Sequence, residues 1–382
     1  MKLVSVSNYI NHHQIPMSNE FYKLAKKDGG SYYFIQTEPM EEERIKMGWN
    51  SNVKEIPYLV IYKDNVKYAQ KLIDEADVVI FGGTDDESYI QARLSEKKII
   101  FRYSERLYRT GRYKFVSPRG LVRKFKDHTR YQFSKVYLLC SGAYVAGDFR
   151  MVLSYIGKKY RFGYFPQFIA YDIEEVLKSK TSQIDGVTSF LWAGRMIDWK
   201  HPELAIRLME KLIKINPNIH LTMVGGGELE GNIKALVEDL NLQNHISFTG
   251  FLSPEETRQQ MLKSDVFLMT SDYQEGWGAV INEAMNSGCV VIANKKIGAV
   301  PFLLNNGENG IIYRNLLSKK CIEKIQNTIF DPNKRRHLAR NAYKTVSEEW
   351  NEKVAAQRVY TLAKEKLNNK DIKYKTGPVS KI

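Results

Sequence analysis

The residues of this chain most able to do chemistry are two glutamates eight positions apart, Glu275 and Glu283. They flank a glycine-rich turn between a predicted buried strand, 265–270, and a predicted helix, 279–287. Glu275 would lie where the helix begins and could accept hydrogen bonds from sugar hydroxyls. Glu283 would lie about two turns further along on roughly the same face, where its carboxylate could accept both hydroxyls of a ribose. The alternative is an exposed acidic loop followed by one solvated helical glutamate.

The turn between the two glutamates contains Gly276, Trp277 and Gly278. Glycine lets the backbone approach a ligand closely, and the N–H groups and dipole at a helix start attract phosphate. The whole segment therefore indicates a site for a sugar and a phosphate together.

A second candidate group follows the apolar segment 189–194, which predicts a strand. Arg195 and Lys200 come after it, and Pro202 suits the first turn of a helix. A planar guanidinium and a compact ammonium can together hold a diphosphate, and they offset the negative charge that develops as it leaves. Two solvated basic residues are the alternative.

The third candidate segment is a predicted strand that ends in Gly225, Gly226, Gly227 and Glu228. A helix is predicted from 229 to 240, so these glycines form a turn that could face a ligand. The segment does not match the dinucleotide-binding fingerprint, because Glu230 stands where the third glycine should be. A hydride-transfer enzyme is therefore disfavoured.

Together these segments resemble the C-terminal domain of family 4 retaining glycosyltransferases, over about 189–313. Four ordered motifs carry the resemblance: Gly194-Arg195 with Lys200, the turn 224–229, the segment 246–251, and 275–283 followed by Ala284 and Gly288. Members of that family have the GT-B fold, in which two Rossmann-like α/β domains face each other across a cleft and a C-terminal helix crosses back to the first domain. The resemblance implies the same fold here.

The resemblance also implies roles for individual residues. Arg195 and Lys200 would hold the donor diphosphate, Glu275 would contact the donor sugar, and these three would be the catalytic residues. Glu283 would bind the ribose. The other donor-binding residues implied are Gly194, Gly225, Gly226, Gly227, Glu228, Gly250, Phe251, Gly276, Trp277 and Gly278, with the backbone near Gly250 and Phe251 lining the base.

The N-terminal half resembles, less specifically, family 4 enzymes that build bacterial capsular or extracellular polysaccharides. This resemblance is patchy over 1–166, and its motifs are 11–16, 37–40 and 103–106 followed by Gly111.

Three residues at the carboxyl ends of predicted strands are acceptor-side candidates: His12, His13 and Glu105. The sequence departs from the family pattern at both places, since 8–14 replaces a glycine-rich loop and Glu105 falls where many relatives have a histidine. Partly exposed histidines, and a surface ion pair between Glu105 and a neighbouring arginine, are the alternatives.

The composition is that of a globular protein large enough for two domains, with 43% apolar and 12% aromatic residues in 382. No segment resembles a transmembrane helix or a signal peptide, so we expect a cytoplasmic protein that could lie peripherally on the inner face of the cell membrane. Cys140, Cys289 and Cys321 are odd in number and far apart, which indicates buried thiols rather than disulfides or a zinc site.

The formal charge of +14 is concentrated between residues 102 and 135, where eleven Lys and Arg oppose two acids. The aromatic residues in this basic window are Tyr103, Tyr108, Tyr113, Phe115, Phe125, Tyr131 and Phe133. Cations mixed with aromatics suit an anionic membrane surface or polyprenyl-phosphate head groups. The alternative is a solvated basic face with its aromatics in the core, and His128 is expected at the surface. Nucleic acid is not expected as a partner, because no binding module is recognisable.

Strands and helices alternate along both halves, which predicts parallel sheets with covered faces. The predicted boundaries are a first domain at 1–170, a linker at 171–188, a second domain at 189–346, a returning helix at 347–368 and a loose tail at 369–382. The N-terminal strands are predicted at 3–7, 32–36, 58–61, 78–82 and 98–102.

The chemistry predicted is a metal-independent, retaining transfer of a hexose-type unit from a nucleotide-diphosphate sugar to a hydroxyl, with no cofactor. A UDP-sugar is the default donor, GDP-mannose is possible, and the acceptor would be a glycan or a polyprenyl-diphosphate-linked oligosaccharide. The alternatives are another GT-B sugar enzyme, such as an epimerase or phosphorylase, and a non-catalytic nucleotide-sugar-binding module.

Overall fold

The structure, a computed structural model, describes residues 1–42, 45, 55–109, 111, 115–180 and 185–382. The chain divides into two compact units. Unit 1 comprises Met1–Gln167 together with Glu349–Ile382, and unit 2 comprises Phe168–Glu348. Predicted residues such as Tyr113, and part of the predicted linker (181–184), lie outside the described residues.

Unit 1 contains a parallel sheet of seven described strands, in the order β3-β2-β1-β4-β5-β6-β7. The strands are β1 (Lys2–Ser7), β2 (Ser31–Gln36), β3 (Leu59–Ile61), β4 (Val78–Phe81), β5 (Ile99–Ser104), β6 (Val136–Ser141) and β7 (Lys159–Phe162). β4 is buried along its whole length, as expected for a parallel strand covered on both faces.

The helices of unit 1 include one from the far end of the chain. They are α1 (Ile15–Lys27), α2 (Val66–Glu75), α3 (Gln91–Ser95), α4 (Pro118–Asp127), α5 (Val145–Met151) and α14 (Glu352–Leu367). The last of these packs against α1, and its buried face includes Ala355, Val359 and Leu362. The C-terminal helix therefore belongs to the first domain, as the resemblance implied.

Unit 2 contains a parallel sheet of six described strands, in the order β10-β9-β8-β11-β12-β13. The strands are β8 (Thr188–Ala193), β9 (Ile219–Val224), β10 (Ile246–Gly250), β11 (Val266–Met269), β12 (Val290–Asn294) and β13 (Ile311–Tyr313). Its helices are α6 (Ile173–Lys178), α7 (Pro202–Ile213), α8 (Glu230–Asp239), α9 (Pro254–Lys263), α10 (Val280–Asn286), α11 (Val300–Leu303), α12 (Lys319–Ile329) and α13 (Pro332–Glu348).

Each unit has a parallel β-sheet covered by helices, which confirms the predicted α/β fold class for the two domains. The three cysteines are free thiols and buried, as expected. Among the described residues, the helices lack the length and apolar character needed to cross a membrane.

Two expectations are corrected here, and a pair of strands was missed. The tail predicted as loose is packed: Val379 and Ser380 are buried, and the Val379 amide and the Ser380 carbonyl bond the backbone of Arg161 on the edge strand β7. The predicted linker contains α6, which Asp172 caps at its start. The strands β6 and β7 were not predicted.

A further correction concerns His128, which is not a surface residue. Its Nδ1 lies 2.8 Å from the Tyr155 hydroxyl, and its ring packs edge-on against Phe149. Burial, and then the charge of Arg102, lower the pKa of His128 to about 2, so the ring stays neutral.

Candidate functional site

The strand order of unit 2 reverses between β8 and β11, which are adjacent and parallel. In open parallel sheets, ligands bind beyond the carboxyl ends of the strands at such a point. The loop after β8 carries Arg195 and Lys200, and the loop after β11 leads to Glu275. The topology therefore brings the predicted catalytic residues to one edge of one sheet.

Lys200 and Glu275 are in direct contact at this edge. The Lys200 ammonium donates to Oε2 of Glu275 over 2.5 Å, and the Ser271 hydroxyl donates to the same oxygen over 3.0 Å. The two charged side chains are only 16% and 13% exposed. Partial burial strengthens their attraction, because the local dielectric is lower than that of water.

The backbone around Lys200 is held from two sides. The Thr270 hydroxyl donates to the Lys200 carbonyl over 2.6 Å, and the Trp192 indole donates to that hydroxyl over 2.8 Å. The Asp272 amide bonds the Trp199 carbonyl over 3.0 Å. The loops after β8 and β11 are thereby tied to each other, which fixes the position from which the ammonium extends.

His201 follows Lys200 in a left-handed backbone conformation, with φ of 49°. Its ring nitrogens lie 3.5 Å from a carboxylate oxygen of Asp272 and 3.2 Å from one of Glu203. The left-handed residue ends the short 3-10 turn Asp198–Lys200 and lets α7 begin at Pro202, as predicted. Sequence reasoning missed His201 and Asp272, because nothing in their spacing marks this contact.

Arg195 lies in the same loop as Lys200, and its side chain is exposed. The structure thus places one exposed guanidinium and one half-buried ammonium after β8, which are the two cations that the sequence assigned to a diphosphate.

The glycines that were predicted to let the backbone approach a ligand instead allow neighbouring loops to pack closely against each other. A Cβ at Gly225 would lie 2.0 Å from the Gly194 carbonyl oxygen, and its φ of +114° is a conformation that side chains rarely adopt. The Gly225 amide bonds the Gly250 carbonyl over 2.8 Å, and the Met196 amide bonds the Gly226 carbonyl over 2.7 Å. The loops after β8, β9 and β10 therefore form one continuous backbone surface.

Two other predicted donor contacts, Phe251 and Glu228, are exposed on this surface. The Phe251 ring is 58% exposed, and a Cβ at Gly226 would lie 3.0 Å from it. An accessible aromatic ring beside a backbone turn can stack on a nucleotide base.

The turn before α10 is buried around Trp277. The indole is 1% exposed, donates to the Asn282 amide oxygen over 3.0 Å and packs near Phe302. Gly276 and Gly278 on either side are also buried. Because the Trp277 side chain belongs to the core, contact with a ligand would be made through the main chain of this turn.

Glu283 lies on α10 opposite Arg258 of α9, with 3.7 Å between charged atoms. Burial raises the pKa of Glu283, while the Arg258 guanidinium acts in the opposite direction. Arg258 also donates to the Asn286 side chain over 2.8 Å. Arg258 was missed because a single arginine within a polar helix carries no sequence signal.

The acceptor-side candidates lie in unit 1. His12 and His13 follow β1, are half-buried, and have ring centroids 3.9 Å apart. Beside them, the Tyr103 hydroxyl on β5 lies 2.7 Å from the Ser7 hydroxyl at the end of β1, and the Gln14 amide lies 3.3 Å from Tyr103. The ends of β1 and β5 therefore lie at one edge of the sheet.

Glu105 follows β5 and has two partners. The Tyr164 hydroxyl donates to one carboxylate oxygen over 2.8 Å, and Arg109 donates to the other over 3.1 Å. Burial and the nearby Glu105 charge raise the pKa of Tyr164 well above its usual value, so this hydroxyl stays protonated. The ion pair between Glu105 and a neighbouring arginine, which was the alternative interpretation of the sequence, is therefore present.

The basic window is divided between the interior and the surface. Arg102 is buried and makes two hydrogen bonds of 2.6 Å to Glu87, and Arg106 pairs with the fully buried Asp148. These two arginines stabilise the domain and do not contribute to a basic face. The aromatic residues are also divided, because Tyr108 is buried whereas Phe125 and Phe133 are exposed.

A family model described as "Glycosyl transferases group 1" matches residues 174–345, nearly all of unit 2. The matched region includes Arg195, Lys200, Glu275 and Glu283. This part of the chain is similar to group 1 glycosyltransferases. The part of the chain that resembles this family therefore contains the two carboxylates and the two cations that the sequence assigned to the donor.

Curated relatives resemble parts of the chain. "Spore coat protein SA" of Bacillus subtilis is 26% identical over 41% of this chain and 43% of its own length. "Alpha-D-kanosaminyltransferase" of Streptomyces kanamyceticus is 24% identical over 40% of this chain and 39% of its own length. The chain thus spans less than half the length of these relatives.

A solved structure resembles the fold over nearly the whole chain. HepE of Anabaena, crystallised with UDP, has a TM-score of 0.69 at 15% identity, over 94% of this chain and 99% of its own. At this identity the likeness shows the fold alone. It agrees with the GT-B fold class predicted from the sequence.

Proposed function

We propose that the protein transfers a sugar from a nucleotide-diphosphate sugar to a hydroxyl group of an acceptor. The observation that carries this proposal is the contact between Lys200 and Glu275 at the strand-order reversal of a domain that matches the group 1 glycosyltransferase model. A cation for the diphosphate and a carboxylate for the sugar hydroxyls stand side by side where such a sheet binds ligands.

In this proposal, Lys200 and Arg195 contact the two phosphates. When the bond between the anomeric carbon and the phosphate oxygen breaks, its electrons go to that oxygen. The two cations stabilise the charge that results, which is the role a divalent metal plays elsewhere, so we propose a metal-independent reaction without a cofactor. The backbone that carries Lys200 is already held by Thr270 and Asp272, which limits the reorganisation needed during the reaction.

Glu275 then exchanges its bond from Lys200 for bonds from sugar hydroxyls. The pair observed at 2.5 Å keeps both charges compensated until a donor arrives. Ser271, which also bonds Glu275, would hold the carboxylate in position during this exchange.

Retention of the anomeric configuration is also proposed. It requires the acceptor hydroxyl to attack on the face from which the diphosphate leaves, and the departing phosphate oxygen can take the acceptor proton. Glu283 would bind the ribose hydroxyls, and Phe251 with the Gly250 backbone would line the base.

A UDP-sugar is the proposed donor. The structurally similar HepE of Anabaena was crystallised with UDP and with UDP-glucose, which supports this choice. We propose that the acceptor is a glycan or a polyprenyl-diphosphate-linked oligosaccharide of a cell-surface polysaccharide, which would place the protein at the inner face of the cell membrane. His12, His13 and Glu105 remain the proposed acceptor-side residues.

A panel of UDP- and GDP-sugars tests the proposal. We expect one nucleotide sugar to raise the melting temperature and to be hydrolysed slowly when no acceptor is present, with the released sugar in the α configuration if the donor is α-linked. The proposal is wrong if no nucleotide sugar of the panel stabilises the protein or is consumed.

A further inference from the structure

One helix of unit 1, α4 (Pro118–Asp127), has no buried residue. Its large apolar side chains are instead exposed: Leu121 by 38%, Val122 by 55% and Phe125 by 57%. A helix on a globular domain normally turns its apolar side chains inward, because exposing them to water is unfavourable. The apolar side chains of α4 are therefore available for contact with a partner outside the domain.

The arrangement around α4 separates apolar from charged residues. At 100° per residue, Leu121, Val122 and Phe125 fall within an arc of about 100°. Arg119 and Lys126 flank one side of this arc, and Lys124 flanks the other. A narrow apolar arc with cations along both margins is the pattern of a helix that lies in the plane of a membrane interface.

Further exposed apolar residues follow the helix in the chain. Phe133 is 99% exposed, and the neighbouring Gln132 side chain bonds both the amide and the carbonyl of Ile156, over 3.0 and 3.1 Å. Ile156 is 59% exposed, and Leu153 in the same turn is 66% exposed. We define the basic apolar face as residues 116–133 with the turn 153–156.

The charge of this face is mainly positive. Residues 116–133 contain five Lys and Arg and one acid, Asp127. Arg119, Lys126 and Arg130 are exposed. Two copies of such a face would repel each other, and the centres of protein interfaces are depleted in lysine, whereas anionic lipid attracts the cations and accepts the apolar side chains.

We propose that the basic apolar face binds the surface of an anionic lipid bilayer, with Leu121, Val122, Phe125 and Phe133 entering the head-group region and the flanking cations contacting lipid phosphates. This deepens the proposed function, since it would bring unit 1 to the membrane that holds a lipid-linked acceptor. The contact itself requires neither donor nor acceptor.

Vesicle flotation with the full chain tests the proposal. Phosphatidylcholine vesicles would be compared with vesicles that contain phosphatidylglycerol, in a series of rising NaCl concentrations without nucleotide. We expect binding to the anionic vesicles only, and weaker binding as salt rises, because salt screens the charges.

Two pairs of variants separate the apolar from the charged contribution. Phe125→Ser with Phe133→Ser should weaken vesicle binding about tenfold or more, since two aromatic rings no longer leave water. Arg119→Gln with Lys126→Gln should weaken it by about fivefold per charge removed. Val66→Ser, at a 50% exposed position elsewhere in unit 1, and Lys319→Gln, in unit 2 with a 92% exposed side chain, are the matched controls and should bind like the wild type.

The proposal is overturned by any of three results: no binding to anionic vesicles at low salt, equal binding to neutral vesicles, or wild-type binding by both double variants. A dimer that Phe125→Ser with Phe133→Ser dissociates, in a chain that does not bind vesicles, would assign the face to self-association instead. Thermal unfolding checks that the variants fold. Donor hydrolysis without vesicles is measured in parallel, so a failure of the membrane proposal is distinguished from a failure of the transferase proposal.

Discussion

Each glutamate of the candidate donor site faces a cation from another element. Glu275 bonds Lys200 from the loop after β8, and Glu283 faces Arg258 from α9. A partly buried carboxylate without a partner is costly, and the facing cations reduce this cost before a ligand binds. The pairs therefore keep hydrogen-bond acceptors available where they would contact a sugar and a ribose.

Glu283→Gln tests the ribose assignment. A neutral amide accepts hydrogen bonds less strongly than a carboxylate, so we expect about tenfold weaker binding of UDP, or of GDP if the panel selects guanosine. Glu238→Gln, at an exposed site on α8, should leave the affinity unchanged. Isothermal calorimetry measures both, and wild-type affinity in Glu283→Gln would contradict the assignment.

His128 predicts how stability depends on pH. Its folded pKa of about 2 lies below the unfolded value of about 6.5, so the unfolded chain binds an additional proton as the pH falls through 6.5. The folded state should therefore lose about 2 kcal/mol between pH 7 and pH 5 through this residue. For His128→Gln, the loss of folding stability over the same pH interval should be smaller by this amount.

Urea unfolding at the two pH values measures this difference. His337→Gln is the control, because His337 is exposed in unit 2 and the variant should keep the wild-type dependence. If His128→Gln and the wild type lose the same free energy of unfolding, the buried neutral state of His128 is refuted.

At the scale of elements, the site depends on how closely the loops after the strands pack. Gly225 is in contact with the Gly194 carbonyl, and Gly227 approaches Met196 in the same way. These approaches let the turns after β8 and β9 share hydrogen bonds, which places the Gly194–Lys200 loop beside the Gly225–Gly227 turn.

Gly225→Ala tests this packing. The new Cβ would overlap the Gly194 carbonyl oxygen, and the positive φ adds strain, so we expect a loss of about 2–4 kcal/mol and a lower melting temperature. Gly231→Ala is the matched control, since a Cβ there meets no atom within 4 Å and alanine favours the helix α8 by up to about 1 kcal/mol. Scanning calorimetry of both variants checks the prediction, which is wrong if Gly225→Ala has the same melting temperature as the wild type.

The sequence predicted the elements whose signals are local. The strands before Gly194, Gly225 and Glu275 were visible as apolar segments that end in glycine or charge, and the helix start at Pro202 follows from proline chemistry. Contacts between distant segments could not be predicted in this way. The bond from Lys200 to Glu275 joins residues 75 positions apart, and the neutral state of His128 depends on burial by the whole domain.

At the scale of the whole molecule, the chain forms two units, and only one of them is a single continuous segment of the chain. Unit 2 is one uninterrupted segment, whereas unit 1 includes the last helix and the tail. The polar tail was expected to be loose because its composition offers few apolar contacts, but backbone pairing along the edge strand β7 holds it.

This organisation predicts that residues 168–348 expressed alone fold and bind UDP or GDP about as tightly as the full chain. Unit 2 has its own sheet and core and contains every residue proposed to contact the donor. Circular dichroism and calorimetry provide the measurement, with Lys200→Ala in the same fragment as the control for the site. A folded fragment without nucleotide affinity would show that the donor site needs residues of unit 1.

The most direct test of the central claim, that Lys200 and Arg195 hold the donor diphosphate, is calorimetric titration of UDP and UMP (or GDP and GMP) into the full chain and Lys200→Ala. We expect the variant to bind the diphosphate about tenfold more weakly, to bind the monophosphate almost normally, and to turn over the donor about a hundredfold more slowly. Lys211→Ala, at an exposed site on α7, should behave as the wild type. Unchanged diphosphate affinity in Lys200→Ala would contradict the account.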